Sequence, residues 1–289
     1  MKTCPNCGQA HDMVDWHCPA CGFRPALLHG FPTLAPELAQ AGVGFRPEFY
    51  AELVRLEAGN FWFQARNRLI VWALQRCFPN MQCYLEVGCG TGFVLTAVAR
   101  AFPGARFTGS EVFTAGLPYA AGRVSGVELL QMDARRLPYV GEFDVIGAFD
   151  VLEHIEEDEA VLQQMRQALK PAGGVILTVP QHPWLWSRQD EHACHVRRYR
   201  MGEVQEKLTR AGFEVVLQTS FVSLLLPAMA ASRLLQRDSS AADASAELRL
   251  PRPVNLAFSL VMRLERGLIR AGIRFPIGGS LLLVAMKRG

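Results

Sequence analysis

The stretch Leu85-Glu86-Val87-Gly88-Cys89-Gly90-Thr91-Gly92 decides the fold, because it reads as a buried strand joined to a helix through three alternating glycines. Glycines permit a tight turn and let the backbone approach a ligand without a Cβ clash. A glycine-rich turn by itself is equally compatible with a nicotinamide dinucleotide. The residues that follow must therefore indicate which ligand binds.

A carboxylate follows each of the next three predicted strands. Glu111 ends the second strand, Asp133 ends the third, and Asp150 follows Phe149 at the end of the fourth. The carboxyl ends of parallel strands share one edge of the sheet, where ligands bind. This series suits a ligand with a ribose, an adenine and a cationic amino acid, and it disfavours a phosphate-rich ligand.

Strands alternate with helices between residues 84 and 218, which predicts an α/β fold with a parallel sheet covered on both faces. Two helices precede it, and about sixty residues separate it from the last strand. Those sixty residues read as an apolar helix, a polar loop and a basic amphipathic helix. The predicted division is a zinc ribbon (1–30), a linker with N-terminal helices (31–80), a core (81–220), a helical insertion (221–279) and a closing strand (280–289).

Two copies of the pattern CPxCG lie near the N-terminus, Cys4 to Gly8 and Cys18 to Gly22. Each pair of cysteines can direct two thiolates at one point, and four thiolates form a closed, structural zinc site. A redox pair would need a βαβ context, which is missing here. The predicted zinc ligands are Cys4, Cys7, Cys18 and Cys21.

The motifs around the glycine turn resemble the motif series of class I S-adenosylmethionine-dependent methyltransferases. The resemblance covers roughly residues 60–220 and includes FDVIGAFDVLEH at 143–154, with 280–287 as the closing antiparallel strand. The chain resembles ubiquinone-type O-methyltransferases and related bacterial methyltransferases, and the latter also carry motifs like 61–66 and 190–199. The resemblance implies a seven-stranded Rossmann-like sheet and S-adenosylmethionine as cofactor.

The same resemblance assigns the cofactor site residue by residue. It implies that Glu111 holds the ribose hydroxyls and that Asp133, with Ala134 beside it, faces the adenine. The methionine moiety would be lined by Glu86, Gly88, Cys89, Gly90, Gly92, Phe149 and Asp150.

Methyl transfer to a hydroxyl benefits from a general base, worth roughly 10²–10⁴-fold. The candidates are His154, after the fourth strand, and His195, after the fifth, although either histidine could be purely structural. Candidate acceptor-binding residues are Arg66, Trp186, Asp190, Arg197, Arg198 and Tyr199. The basic run could clamp an anionic acceptor, or it could be a solvated helix start.

Composition narrows the class of acceptor. Half of the residues are hydrophobic (50%), and with Gly counted the apolar share exceeds the roughly 45–50% of average domains. The net charge of +3 is too small to indicate nucleic acid. The fourth strand is not followed by the Asn/Asp-Pro-Pro-aromatic motif, and this argues against methylation of the amino groups of adenine or cytosine. A hydrophobic, lipid-linked or anionic small molecule, methylated at oxygen, is therefore the favoured acceptor.

The basic helix carries Arg263, Arg266, Arg270 and Arg274 at spacings of three and four, with leucines predicted largely opposite. Such a helix is typical of contact with an anionic membrane surface, which we expect through residues 221–275. The alternative is a cap or a dimer interface. No apolar targeting region follows Met1, so a cytoplasmic location is expected, peripheral to the inner face of the membrane.

Three alternatives remain open at this point. The acceptor could be RNA or protein recognised by the ribbon, although residues 1–30 carry only Lys2 and Arg24 as full positive charges. The chain could be a non-catalytic zinc-ribbon scaffold, which the intact glycines and carboxylates disfavour. It could bind NAD, which the carboxylate series disfavours. Neither the acceptor nor the oligomeric state follows from the sequence.

Overall fold

The computed structural model describes residues 1–13, 15–39, 47–236 and 249–289. The strands are β1 (Lys2–Thr3), β2 (Ala10–His11), β3 (Ala26–Leu28), β4 (Phe31–Thr33), β5 (Cys83–Val87), β6 (Arg106–Glu111), β7 (Glu128–Gln131), β8 (Phe143–Phe149), β9 (Leu169–Pro180), β10 (Phe213–Phe221) and β11 (Ser280–Lys287). The helices are α1 (Pro47–Glu57), α2 (Phe61–Cys77), α3 (Phe93–Ala101), α4 (Leu117–Arg123), α5 (Asp158–Ala168), α6 (Arg188–His192), α7 (Glu203–Arg210), α8 (Leu226–Gln236) and α9 (Arg252–Arg270). Within the described ranges, no helix combines the length and apolar character needed to cross a bilayer.

The central sheet has the order β10-β11-β9-β8-β5-β6-β7-β4-β3. Strands β5 to β9 pair in parallel, whereas β11 is antiparallel to both of its neighbours. The seven strands β5 to β11 therefore confirm the predicted Rossmann-like sheet with an antiparallel closing strand.

Helices cover both faces of this sheet, and every residue of β5 is buried as a result. One apolar core packs α5 and α7 against the sheet, and the other packs α2, α3 and α9 against the opposite face. Parallel strands buried on both faces are continuously apolar, which is why β8 lacks the alternation of a half-exposed strand.

The predicted linker is wrong in part, because residues 26–33 form a hairpin that extends the sheet. Its strand β4 pairs with β7 through Thr33 and Gln131. The fully buried Gln131 side chain accepts from the Ala35 N–H at 3.0 Å and donates to the Ala35 carbonyl at 2.7 Å. The Pro- and Gly-rich composition concealed these short strands.

The sequence predicts a helix from residue 153 to 169 that is stopped by Lys170–Gly174, but the helix in the structure is shorter. Residues 152–154 form a short 3₁₀ turn, and α5 begins only at Asp158. The Lys170–Gly174 segment, predicted as a stop, lies within β9. The turn places Glu153 and His154 at the sheet edge rather than on a helix face.

The helical insertion consists of α8 and α9, and α9 packs along α2. The buried Glu265 carboxylate accepts the backbone N–H groups of Val222, Ser223 and Leu224 at 2.7–2.8 Å, which fixes the end of β10 to α9. The predicted polar loop at 238–247 lies outside the described residues. The predicted separation of leucines from arginines on α9 is wrong, because Leu260 and Leu264 lie on the exposed side.

Candidate functional site

The four N-terminal cysteines converge as the sequence predicted. Their sulfur atoms all lie within 4.8 Å of one another, and the pairs Cys4–Cys21 and Cys7–Cys18 are 3.7 Å apart. Zinc–sulfur bonds of about 2.3 Å in a tetrahedron require sulfur separations of about 3.8 Å. The donor set and its geometry therefore fit a structural zinc ion.

The ribbon is fastened to the main sheet rather than carried on a free linker. Trp16 is only 5% exposed and packs edge-on against Tyr139 at 5.5 Å. Both the Trp16 indole N–H (3.1 Å) and the Lys2 ammonium (2.9 Å) donate to the Glu128 carboxylate. The ribbon thus contributes a side chain to the core of the larger domain.

We expect the double substitution Cys4→Ser, Cys7→Ser to lower the free energy of unfolding by about 3 kcal/mol or more, since loss of the metal releases the buried Trp16. Denaturant unfolding with zinc analysis measures both effects. Cys77→Ser, outside the knuckles, is the matched control. A double variant that loses zinc but unfolds like the wild type would show that the ribbon folds independently of the core.

A large cavity of about 1070 Å³ lies at the carboxyl ends of the strands. It brings together residues that the sequence assigned to the cofactor and to catalysis: Glu86, Gly88, Cys89, Gly90, Glu111, Asp133, Ala134, Phe149, Asp150, His154 and His195. The acceptor candidates Arg66, Asp190 and Arg198 also line it.

The glycine turn forms one wall of this cavity. Gly88 has a φ of +68°, and a Cβ there would lie 2.5 Å from Val151. Gly90 has a φ of +52°, but a Cβ added to it would meet nothing within 4 Å. A side chain at residue 90 would therefore occupy open cavity space, as expected of a cradle that holds a ligand.

Two buried carboxylates stand behind the glycine turn. Burial raises the pKa of Glu86 to about 8, against the opposing effects of the Tyr84 hydroxyl and the Arg66 charge. Burial also raises the pKa of Glu111, although its carboxylate accepts N–H groups from Gly90, Val112 and Phe113. A cationic ligand would offset the burial of these carboxylates.

Two more carboxylates complete the strand-end series. The Asp133 carboxylate accepts the backbone N–H and the Nε of Arg135 at 2.9–3.1 Å. Asp150, at a positive φ of 57°, pairs with the guanidinium of Arg66, which also stacks over Trp62 at 4.5 Å. Arg66 is thus fixed in the cavity wall by a charge and an aromatic ring.

A histidine pair lies at the same sheet edge as Asp150. The His195 Nδ1 lies 2.9 Å from Asp190, and its Nε2 lies 3.9 Å from Glu153. Burial alone would raise the pKa of Asp190, but hydrogen bonds from His195 and Arg198 lower it to about 2. Asp190 is therefore an anion that can orient His195, leaving Nε2 free to accept a proton.

The same cluster has the donor set of a cation site. One ligand atom each from Glu153, His154 and His195 lies within 4.8 Å of the others. Glu153 is fully buried, and neither of its carboxylate oxygens has a hydrogen-bond partner among the described residues. Burial and the Asp150 charge raise its pKa well above the usual range. These residues could hold either a proton or a divalent cation.

Burial and the neighbouring His195 lower the pKa of His154 from 6.5 to about 4. The unfolded chain therefore binds a proton between pH 6.5 and 4 that the folded chain does not. The free energy of unfolding therefore decreases as the pH falls through this window, by about 2 kcal/mol at pH 5. We expect unfolding free energies at pH 7 and pH 5 to differ more in the wild type than in His154→Gln. Equal differences would mean that His154 is not held neutral.

Several predicted site residues lie elsewhere. Gly92, which immediately precedes α3, packs against Ala120 of α4, and neither Gly92 nor Trp186 lines the cavity. Arg197 and Tyr199 both bond the Asp158 carboxylate, at 2.9 and 2.8 Å, instead of facing a ligand. The predicted anion clamp is therefore wrong for these two residues. Arg198 reaches the cavity wall but is paired with Asp190 at 2.7 Å.

The sequence missed the contribution of α1. Tyr50 hydrogen-bonds Glu111, and Glu57 accepts the Thr91 hydroxyl at 2.8 Å and the Arg123 guanidinium at 2.6 Å. Both residues line the cavity, so α1 covers the glycine turn. Their helical spacing on the buried face was the available signal, but it indicated packing rather than a site.

Comparisons with known proteins agree with this geometry. The family profile of a methyltransferase domain matches residues 85–176. A probable S-adenosylmethionine-dependent methyltransferase of Mycolicibacterium smegmatis is 26% identical over 162 residues, 54% of this chain and 60% of that protein. A ubiquinone biosynthesis O-methyltransferase of Pseudomonas aeruginosa is 32% identical over 156 residues, 46% of this chain and 65% of that protein. The matches thus span less than two thirds of these relatives.

Solved structures support the same fold. The crystal structure of the [4+2]-cyclase SpnF aligns with a TM-score of 0.53 at 22% identity, covering 78% of this chain and 82% of that one. This likeness concerns the fold alone. The family match and the relatives, not this likeness, show that the chain contains an S-adenosylmethionine-dependent methyltransferase domain.

Proposed function

We propose that this protein transfers a methyl group from S-adenosylmethionine to an oxygen atom of a hydrophobic small-molecule or lipid-linked acceptor. The observation that carries the proposal is one cavity lined by two chemically different sets of residues. The first set is the glycine turn with four carboxylates, and the second is the His195–Asp190 pair.

The glycine turn and its four carboxylates fit the cofactor. The open space at Gly90 is a backbone cradle, Glu86 and Asp150 offer negative charge to a cationic amino acid, and Asp133 can accept an adenine amino group. Glu111 can accept ribose hydroxyls, which would take the place of the Tyr50 hydroxyl. When bound, S-adenosylmethionine supplies a methyl group on a positively charged sulfur and departs as a neutral thioether.

The protein's own part is to orient the acceptor and to remove its proton. The acceptor hydroxyl donates its proton to Nε2 of His195 as the oxygen gains the methyl group. The anionic Asp190 then stabilises the imidazolium through its bond to Nδ1. Alignment of the reacting groups can contribute about 7–11 kcal/mol, more than the base alone.

A divalent cation is a second candidate for activating the hydroxyl. The unpartnered oxygens of Glu153 beside the two imidazoles favour it. Metal analysis of the purified protein separates the candidates. If a cation binds, Glu153→Gln removes a metal equivalent that the ribbon cysteines do not hold. If His195 acts alone, the metal content is unchanged by that substitution.

An apolar acceptor is favoured by the remaining cavity wall. Phe61, Phe258, Leu225 and Met229 line it between α2, α8 and α9. Arg66 is available beside them for an anionic group on the acceptor, once Asp150 engages the cofactor. The curated O-methyltransferase relatives support oxygen as the methylated atom.

The experiment is incubation of the protein with ¹³C-methyl S-adenosylmethionine and a whole cell extract, followed by solvent partition and NMR of the labelled methyl group. An O-methyl signal in the organic phase supports the proposal. Label in RNA or protein would instead favour recognition through the ribbon, and an N- or C-methyl signal would contradict oxygen transfer.

A cytoplasmic location is part of the proposal, in keeping with the free CxxC thiols.

A further inference from the structure

We propose that the outward face of α9 docks on an anionic lipid bilayer. This surface, called the α9 face below, comprises the exposed residues Leu256, Leu260, Arg263, Leu264 and Arg270. Docking of this kind goes beyond methyl transfer, because it can be present or absent whatever the acceptor is.

The apolar part of the α9 face is a continuous stripe. Leu256, Leu260 and Leu264 follow one another at intervals of four residues, which places them on one side of the helix. They are 62%, 54% and 60% exposed. The buried side of the same helix carries Met262, Glu265 and Ile269 instead. A row of half-exposed leucines on a helix that is already packed has no role in the folded core, and such patches mark interaction surfaces.

On α9 itself, the exposed charges that flank the stripe are positive. Arg263 and Arg270 are exposed beside the stripe, and Arg266 lies between them on the side towards Arg68 of α2. Burial and the repulsion of Arg68, Arg270 and Arg263 lower the pKa of Arg266. One of its guanidinium nitrogens is buried and has no hydrogen-bond partner in the described part of the chain. An anion would relieve this repulsion.

No counter-charge comes from α9 itself. Its single carboxylate, Glu265, is buried and holds three backbone N–H groups at the end of β10. Arginines next to exposed leucines match the phosphates and acyl chains of an anionic membrane surface. A second copy of this chain fits poorly, because a two-fold contact would oppose the arginines of one copy to those of the other.

The α9 face and the cavity lie on opposite sides of the same helix. Val254 and Phe258 of α9 line the cavity, while Leu256 and Leu260, two residues further along in each case, lie on the outer side. A bilayer on the α9 face would therefore be separated from the cavity by α9 alone.

The test is cosedimentation of the full chain with vesicles of phosphatidylcholine alone or mixed with phosphatidylglycerol. We expect binding only to the anionic vesicles, weakened by salt. Leu260→Ser with Leu264→Ser, and separately Arg263→Glu with Arg270→Glu, should each weaken it at least tenfold. The matched controls are Leu27→Ser, at a leucine 65% exposed on β3, and Arg24→Glu with Arg100→Glu, which alters the net charge equally.

Any of three results would overturn the proposal. These are vesicle binding that is unchanged in the α9 variants, equal weakening of binding in the control variants, and no vesicle binding by the wild type. Circular dichroism of every variant verifies that the fold is intact. Because vesicle binding requires no methyl transfer, failure of this test leaves the proposed function standing, and failure of methyl transfer leaves this test valid.

Discussion

Gly90→Leu is expected to weaken binding of S-adenosylmethionine at least 100-fold, about 2.7 kcal/mol, while the protein still folds. Residue 90 lines the cavity, and its added Cβ would point into free space. The leucine can therefore fit the folded protein, but it occupies the place of the cofactor. Isothermal titration calorimetry measures the loss, and circular dichroism verifies the fold.

Gly126→Leu is the matched control for this prediction. Gly126 also has a positive φ, +73°, and open space at its Cβ, but it lies in the turn before β7 and outside the cavity. Both variants carry a similar backbone strain of about 1–2 kcal/mol. If the two variants bind S-adenosylmethionine equally well, the glycine turn does not hold the cofactor.

His195→Ala is expected to lower kcat by roughly 10²–10⁴-fold and to leave cofactor affinity nearly unchanged. In the proposed mechanism its Nε2 is the acceptor-side base, and its Nδ1 lies 2.9 Å from the Asp190 carboxylate. The histidine lies beyond the glycine turn, so the cofactor contacts remain. Kinetics with the identified acceptor, together with calorimetry, separate the two effects.

His182→Asn serves as the control for that substitution. His182 lies in the same connection after β9, but it does not line the cavity. Its positive φ of 66° is one that asparagine tolerates well. A His195→Ala variant as active as the wild type at every pH would exclude this histidine as the base. A loss of kcat in His182→Asn of the same size would indicate a general disturbance of the loop.

The cofactor end of the site could be predicted from sequence because its residues are local. Each carboxylate directly follows a strand, so the order of strands in a parallel sheet brings Glu111, Asp133 and Asp150 to one edge. The turn around Gly90 was predictable for the same reason. The seven-stranded sheet followed from the alternation of elements and from the resemblance.

The acceptor end was harder to predict because its contacts join distant segments. Asp190 and Arg198 lie only eight residues apart, but the unpartnered state of Glu153 depends on packing from several elements. Arg197 and Tyr199 read as a binding motif, whereas the fold uses both to hold Asp158. Periodicity placed the leucines of α9 opposite its arginines, but contact with α2 decided which side is buried.

The most direct test of the central claim is the formation of S-adenosylhomocysteine by the purified protein. The substrate is S-adenosylmethionine, supplied with a whole extract of host cells. We predict product only when the extract is present, in amounts matching the methyl label recovered in the organic phase, and none from Gly90→Leu. Failure of the wild type to bind S-adenosylmethionine, or equal label in an aqueous macromolecule, would contradict the account.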